Sequence, residues 1–204
     1  MKNIHSIKPS IIFSILFFLV STLGSMYAQG QYEAGMQKAF GLWSENKSVE
    51  ASAMFERIAQ AEKENWIPYY YAASTLITAS FESKDVVKTD EMLKKSQTFL
   101  EKGNELSPNN SELRTLEGLM YTGYVVMDPA AFGIQYSGKI MALHNEAIKL
   151  DSKNPRAHLN KTEYDIGAAS FFGTELITFC DAIKSTQILF DNQEEKEVFY
   201  PSFG

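Results

Sequence analysis

At 204 residues, with 45% hydrophobic residues, a formal net charge of −6 and a single cysteine, the chain can bury one sizeable core and excludes an internal disulfide. Its acids outnumber its lysines and arginines and lie dispersed among them. This disfavours nucleic acid and anionic membrane surfaces as partners and leaves no acidic run dense enough for a calcium loop.

In chain order, Lys2 and Lys8 precede the apolar run Ile11 to Val20, and small or neutral residues lead on to Met26, Tyr27 and Ala28. That is the order of a secretory signal peptide, here residues 1–28 with cleavage after Ala28. The apolar run is too short for a transmembrane helix, which needs roughly 20 residues. No cysteine near its end offers a lipid attachment point. The expectation is an exported protein, periplasmic or secreted, with no stable membrane anchor after cleavage.

The first mature helix is predicted from Gln31 to about Glu45, with Tyr32, Met36, Ala39 and Trp43 on one stripe. Ser48 is positioned to cap a second helix carrying Ala51, Phe55 and Ile58. Pro68 opens a third, with Tyr69, Ala72, Ala73 and Leu76, and Thr89 followed by Asp90 and Glu91 reads as the start of a fourth. After the turn Ser107 to Asn110 a fifth helix carries Leu113, Leu116, Gly118, Met120 and Tyr121, and Asp128-Pro129 stops it. An insertion over residues 128–137 leads to a helix with Ile140, Leu143, Ala147 and Leu150. Asn154 as cap and Pro155 at the first helical position then start the last unit. A second insertion at 168–174 interrupts that unit before Leu176, Cys180 and Ile183, one apolar face on which the lone cysteine is expected to be buried. The tail Phe199 to Gly204 is expected to cap the exposed apolar face of the last helix pair.

The pattern repeats. The stretch GNELSPNNSELRTLEGLMYTG, residues 103–123, returns as AIKLDSKNPRAHLNKTEYDIG, residues 147–167. Phe132-Gly133 falls on Phe172-Gly173 forty residues later. A helix end, a polar turn and a new helix with a small residue and an aromatic resemble the junction between tetratricopeptide repeats, and Ala51-x-x-x-Phe55 resembles that family's A-x-x-x-F element. The resemblance implies an all-α, right-handed solenoid of antiparallel helix pairs over residues 31–64, 65–110, 111–154 and 155–191, in one domain, 29–204. The middle units exceed the usual period of about 34 residues, the excess falling between the helices of a pair.

Such a solenoid implies a scaffold that holds a protein or extended peptide in the cell envelope. The alternative is a small-ligand-binding helical protein accessory to periplasmic uptake, its insertions closing over a cavity. The candidate binding residues are Tyr121, Tyr124, Phe132, Tyr164 and Phe172. The Phe-Gly pairs have two readings: rings that anchor a partner, or rings folded onto the helices with Gly133 and Gly173 turning at positive φ. Beyond the leader the histidines are His144 and His158, at no metal-binding spacing, and no nucleophile elbow or phosphate loop is present. The sequence therefore reads as a non-enzyme without cofactor or metal.

Overall fold

A computed structural model describes residues 29–194 and 196–202; the signal-peptide reading of residues 1–28 lies outside them. Among the described residues the fold is all-α, without a strand. Helix α1 covers 29–44. It is followed by α2 (Ser48–Ala61), α3 (Ile67–Glu82), α4 (Val86–Leu106), α5 (Ser111–Met127), α6 (Pro129–Leu150) and α7 (Pro155–Phe171). A 3-10 turn, Ile177–Phe179, leads into α8 (Cys180–Asp191). No helix among the described residues is long and apolar enough to cross a membrane.

Helix starts follow short polar side chains that reach back to free backbone N–H groups. The Asn110 carboxamide oxygen accepts from the N–H of Glu112 at 2.9 Å, and that of Asn154 accepts from the N–H of Arg156 at 2.9 Å. Asp128 serves both neighbours, ending α5 and accepting from the Ala131 N–H at 3.0 Å to start α6. Two predicted starts move. Helix α4 begins at Val86 because Asp85 accepts from the N–H of Val87 and Lys88, while Thr89 turns its hydroxyl onto the Asp85 carbonyl. Helix α2 begins at Ser48 itself, with Lys47 as N-cap and no side-chain cap.

The larger correction concerns residues 128–137. They form no insertion loop, because α6 runs unbroken from Pro129 to Leu150. After Pro129 the stretch holds no second strong breaker, and a helical Gly133 costs only about 1 kcal/mol relative to alanine. The excess length between the paired helices is thus taken up as helix.

Helix α3 lies at the centre of the first half and packs against α2, α4 and α5. Its Ala72 and Ala73 are fully buried, which lets both flanking helices approach closely. The Ser52 hydroxyl of α2 donates to the Ala72 carbonyl at 2.8 Å, and that of Ser96 on α4 to the Ala73 carbonyl at 3.3 Å. Around this seam lie Phe55, Tyr71, Ile77, Leu93 and Leu100, all buried. Each such side chain contributes about 1.5–3 kcal/mol on leaving water.

Gly118 and Gly123 hold the small contact positions of α5. A Cβ on Gly123 would meet a Leu93 methyl at 2.8 Å; one on Gly118 would stand 2.6 Å from Cε1 of the His144 ring on α6. Because His144 is wholly buried and packs on Tyr164, its ring has little room to withdraw. Gly118→Ala is expected to destabilise the protein by about 1–3 kcal/mol. Urea denaturation with an unchanged midpoint would show instead that the α5–α6 contact relaxes freely.

Candidate functional site

The five candidate residues occupy three places. Tyr121 and Tyr124 of α5 meet Phe132 of α6, together with Tyr136, which the sequence did not single out. Centroid distances are 4.8 Å for Tyr121–Tyr136 and 5.4 Å for Tyr124–Phe132, and the rings of Phe132 and Tyr136 stack within 8° of parallel. The Lys139 ammonium stands 3.9 Å from the centre of the Tyr121 ring. Tyr121 and Tyr124 are buried, and burial, with a smaller push from Asp90, raises the Tyr124 phenol to about 12. This group is a closed seam between two helices, with Phe132 folded onto them. Tyr164 stands apart on α7, its ring 6.3 Å from that of His144.

Phe172 behaves differently from Phe132. It caps α7 at 78% exposure, its ring edge-on to that of the similarly open Phe171, 5.2 Å away, and Gly173 turns at φ +70 as the repeated Phe-Gly suggested. Ile177 at 72% and Ile188 at 59%, on the 3-10 turn and α8, are likewise exposed, as are Leu176 and Ile183. Cys180, expected to be buried with Leu176 and Ile183, is exposed. The periodic stripe on α8 is real, but no described helix follows to cover it. Among the residues of α8 only Thr186 is buried.

A second feature escaped the sequence reading. The tail returns past the last pair to the first helices: the Phe199 ring lies 5.7 Å from that of Tyr32 and 5.8 Å from that of Phe40, and Tyr200 meets Trp66 edge-on at 5.7 Å. Among its described residues the rings of Phe199 and Tyr200 pack on a ready aromatic cluster on α1 and α3, where Phe40 packs 4.6 Å from Tyr71, and Ile183 and Ile188 of α8 stay exposed. Between tail and helices lies a cavity of about 660 Å³ walled by Phe40, Tyr71, Phe190, Phe199 and Tyr200, with Lys196 among the polar residues at its edge. No sequence signal marks so distant a contact.

Among the described residues no group of three His, Cys, Asp or Glu side chains is placed to hold a metal ion. His158 contacts the Ser152 carbonyl at 3.0 Å through Nε2, whereas both ring nitrogens of His144 are buried without a hydrogen-bond partner among the described residues.

No protein-family model matches the chain, and no curated protein matches it. Among solved structures it shares its all-helical fold with one match. The match is the HusA haemophore from Porphyromonas gingivalis, with a TM-score of 0.73 and 20% sequence identity, over 84% of this chain and 86% of that one. At this identity the likeness is one of fold.

Burial lowers the His144 pKa from 6.5 to about 4, with the Lys161 charge adding to the shift and Asp165 opposing it. The unfolded chain therefore takes up a proton below about pH 6.5 that the folded chain refuses until about pH 4. Stability is expected to fall across that window by about 3 kcal/mol from this group. His144→Met should flatten this part of the pH dependence in denaturation curves at pH 7 and 5; an unchanged slope would assign it to other groups.

Proposed function

We propose that this protein is an exported helical carrier that binds a small, flat, apolar ligand of the haem class on the face formed by the end of α7, the 3-10 turn and α8. One observation carries the reading: α8, twelve residues long, buries only Thr186 and leaves Ile183 and Ile188 open, as Phe171, Phe172 and Ile177 are in the segment that leads into it. Isolated helices of about 12–15 residues are marginal in water, so such a helix gains stability from whatever covers its apolar side. Exposed apolar side chains gathered in one segment mark ligand or partner sites. A planar macrocycle laid across it would supply the missing burial, and the fold shared with a haemophore favours a small ligand over a protein partner.

In this reading the helices form a right-handed solenoid of antiparallel pairs of the tetratricopeptide kind. Contacts between alternate helices, α3 with α5 and α5 with α7, support it. The ligand face is then the open end of the stack, where a further repeat would otherwise sit. Phe172 and Tyr164, two of the sequence candidates, lie in this last unit. The seam of Tyr121, Tyr124 and Phe132 serves to join α5 to α6. The leader, with its positive head and short apolar run, supports export, where such a carrier would meet its ligand.

Titration of the mature chain with haemin, followed by visible absorbance, tests the proposal. Phe172→Ala and Ile177→Ala are each expected to weaken binding about tenfold, or about 1.4 kcal/mol. Because both side chains are exposed, the ligand-free melting temperature should hold, as for surface substitutions generally. Absence of a spectral change with the wild-type chain, or undiminished binding in the double variant, would sink the reading.

A further inference from the structure

The tail supplies all but three of the residues lining the cavity of about 660 Å³ described above; the floor is Phe40, Tyr71 and Phe190. Among the described residues the tail is tied to the helices by these contacts, with Pro201 buried. Arg156 Nη1 donates to Gln193 Oε1 at 3.3 Å, and Lys196 Nζ lies 3.7 Å from Asp151. Beyond these, the Phe199 ring docks on α1 and the Tyr200 ring on Trp66. Within the tail itself, Gln193 Nε2 donates to the Pro201 carbonyl at 3.3 Å and the Tyr200 N–H to the Glu197 carbonyl at 2.9 Å, so the segment folds on itself as one piece.

Phe199 is also strained. Its φ of 64 places a bulky side chain in the left-handed region, where Cβ crowds the backbone and which such residues occupy only when their surroundings hold them there. The ring contacts with Tyr32 and Phe40 do that holding. A segment whose main anchor is strained when closed, which spans a cavity instead of a filled core and in which Pro201 alone of the described residues is buried, is less firmly seated than the helices.

We propose that the described tail residues, 193–194 and 196–202, form a lid that lifts from the cavity they line while the helices stay folded. Lifting exposes the aromatic floor of Phe40 and Phe190 to a small ligand and relieves the backbone strain at Phe199; closing trades that strain for ring packing. Local opening of this kind draws on segments with few buried contacts, and its free energy lies below that of global unfolding. The proposal stands apart from the ligand face on α7 and α8, since it concerns the tail and needs no ligand for its test; the two share α8, whose Phe190 lines the cavity.

Limited proteolysis of the full mature chain with a glutamyl endopeptidase tests it, because cleavage after Glu197 requires the segment to leave its seat. Cleavage there is expected to precede cleavage after Glu101 and Glu105 of α4, and to depend only weakly on urea, as an opening that exposes little surface should. Tyr200→Ala should raise that rate at least tenfold with helical circular dichroism unchanged. Phe199→Gly, which removes both ring and strain, should raise it less than Phe199→Ala. Cleavage after Glu197 with the urea dependence of global unfolding would overturn the lid, and so would a Tyr200→Ala rate equal to that of the wild-type chain.

Discussion

The starts of α5 and α7 are fastened by one buried ion pair. Arg156 Nε donates to Glu112 Oε2 at 2.8 Å and Nη2 to Oε1 at 2.6 Å, both side chains being buried. Glu112 sits well in the first turn of α5, at the positive end of its dipole; Arg156 in the first turn of α7 sits against the dipole and is held by the carboxylate. The same point gathers other links. The Asn154 amide donates to the Ser111 hydroxyl, which donates in turn to the Ala147 carbonyl, and Arg156 reaches on to Gln193. Two helix starts, the end of α6 and the root of the tail therefore share one polar knot. Its members are fixed in direction because a bidentate guanidinium in a low dielectric tolerates little displacement.

Much of the helical scaffold was legible in the residues. Asn110, Asp128-Pro129 and Asn154-Pro155 mark boundaries through chemistry confined to a few neighbouring residues, and the structure keeps those boundaries. Gly118 was legible as a contact position, although that its neighbour would be His144 was not. The stretch from Pro129 to Ser137 misled because Phe-Gly reads as a turn by local composition, whereas its ring found Tyr124 and Tyr136 and the helix persisted. At Phe172-Gly173 the same pair does turn. The difference is one of tertiary context, since α6 has α5 alongside its first turns.

The candidate site was legible only in part. Periodicity identified the apolar stripe of α8, but a stripe states which side seeks cover and not whether cover exists. Phe172 was found from its repeat with Phe132; that Ile177 and Ile188 stand exposed became visible only in the structure, where no described helix covers α8. The path of the tail was illegible for a simpler reason. Phe199 and Tyr200 meet rings more than a hundred residues earlier in the chain, and no local pattern encodes such a distance.

Trp43 and Trp66, the two tryptophans of the chain, both stand at the end closed by the tail, the first beside Phe40 and the second beside Tyr200. Intrinsic emission is therefore a regional signal. It follows the aromatic cluster of α1 and α3, while α7 and α8 unfold or reorder without a tryptophan of their own. Circular dichroism weighs all the helices together. Where the two probes part on heating, the gap between them measures how independently the thinly packed last unit melts from the rest.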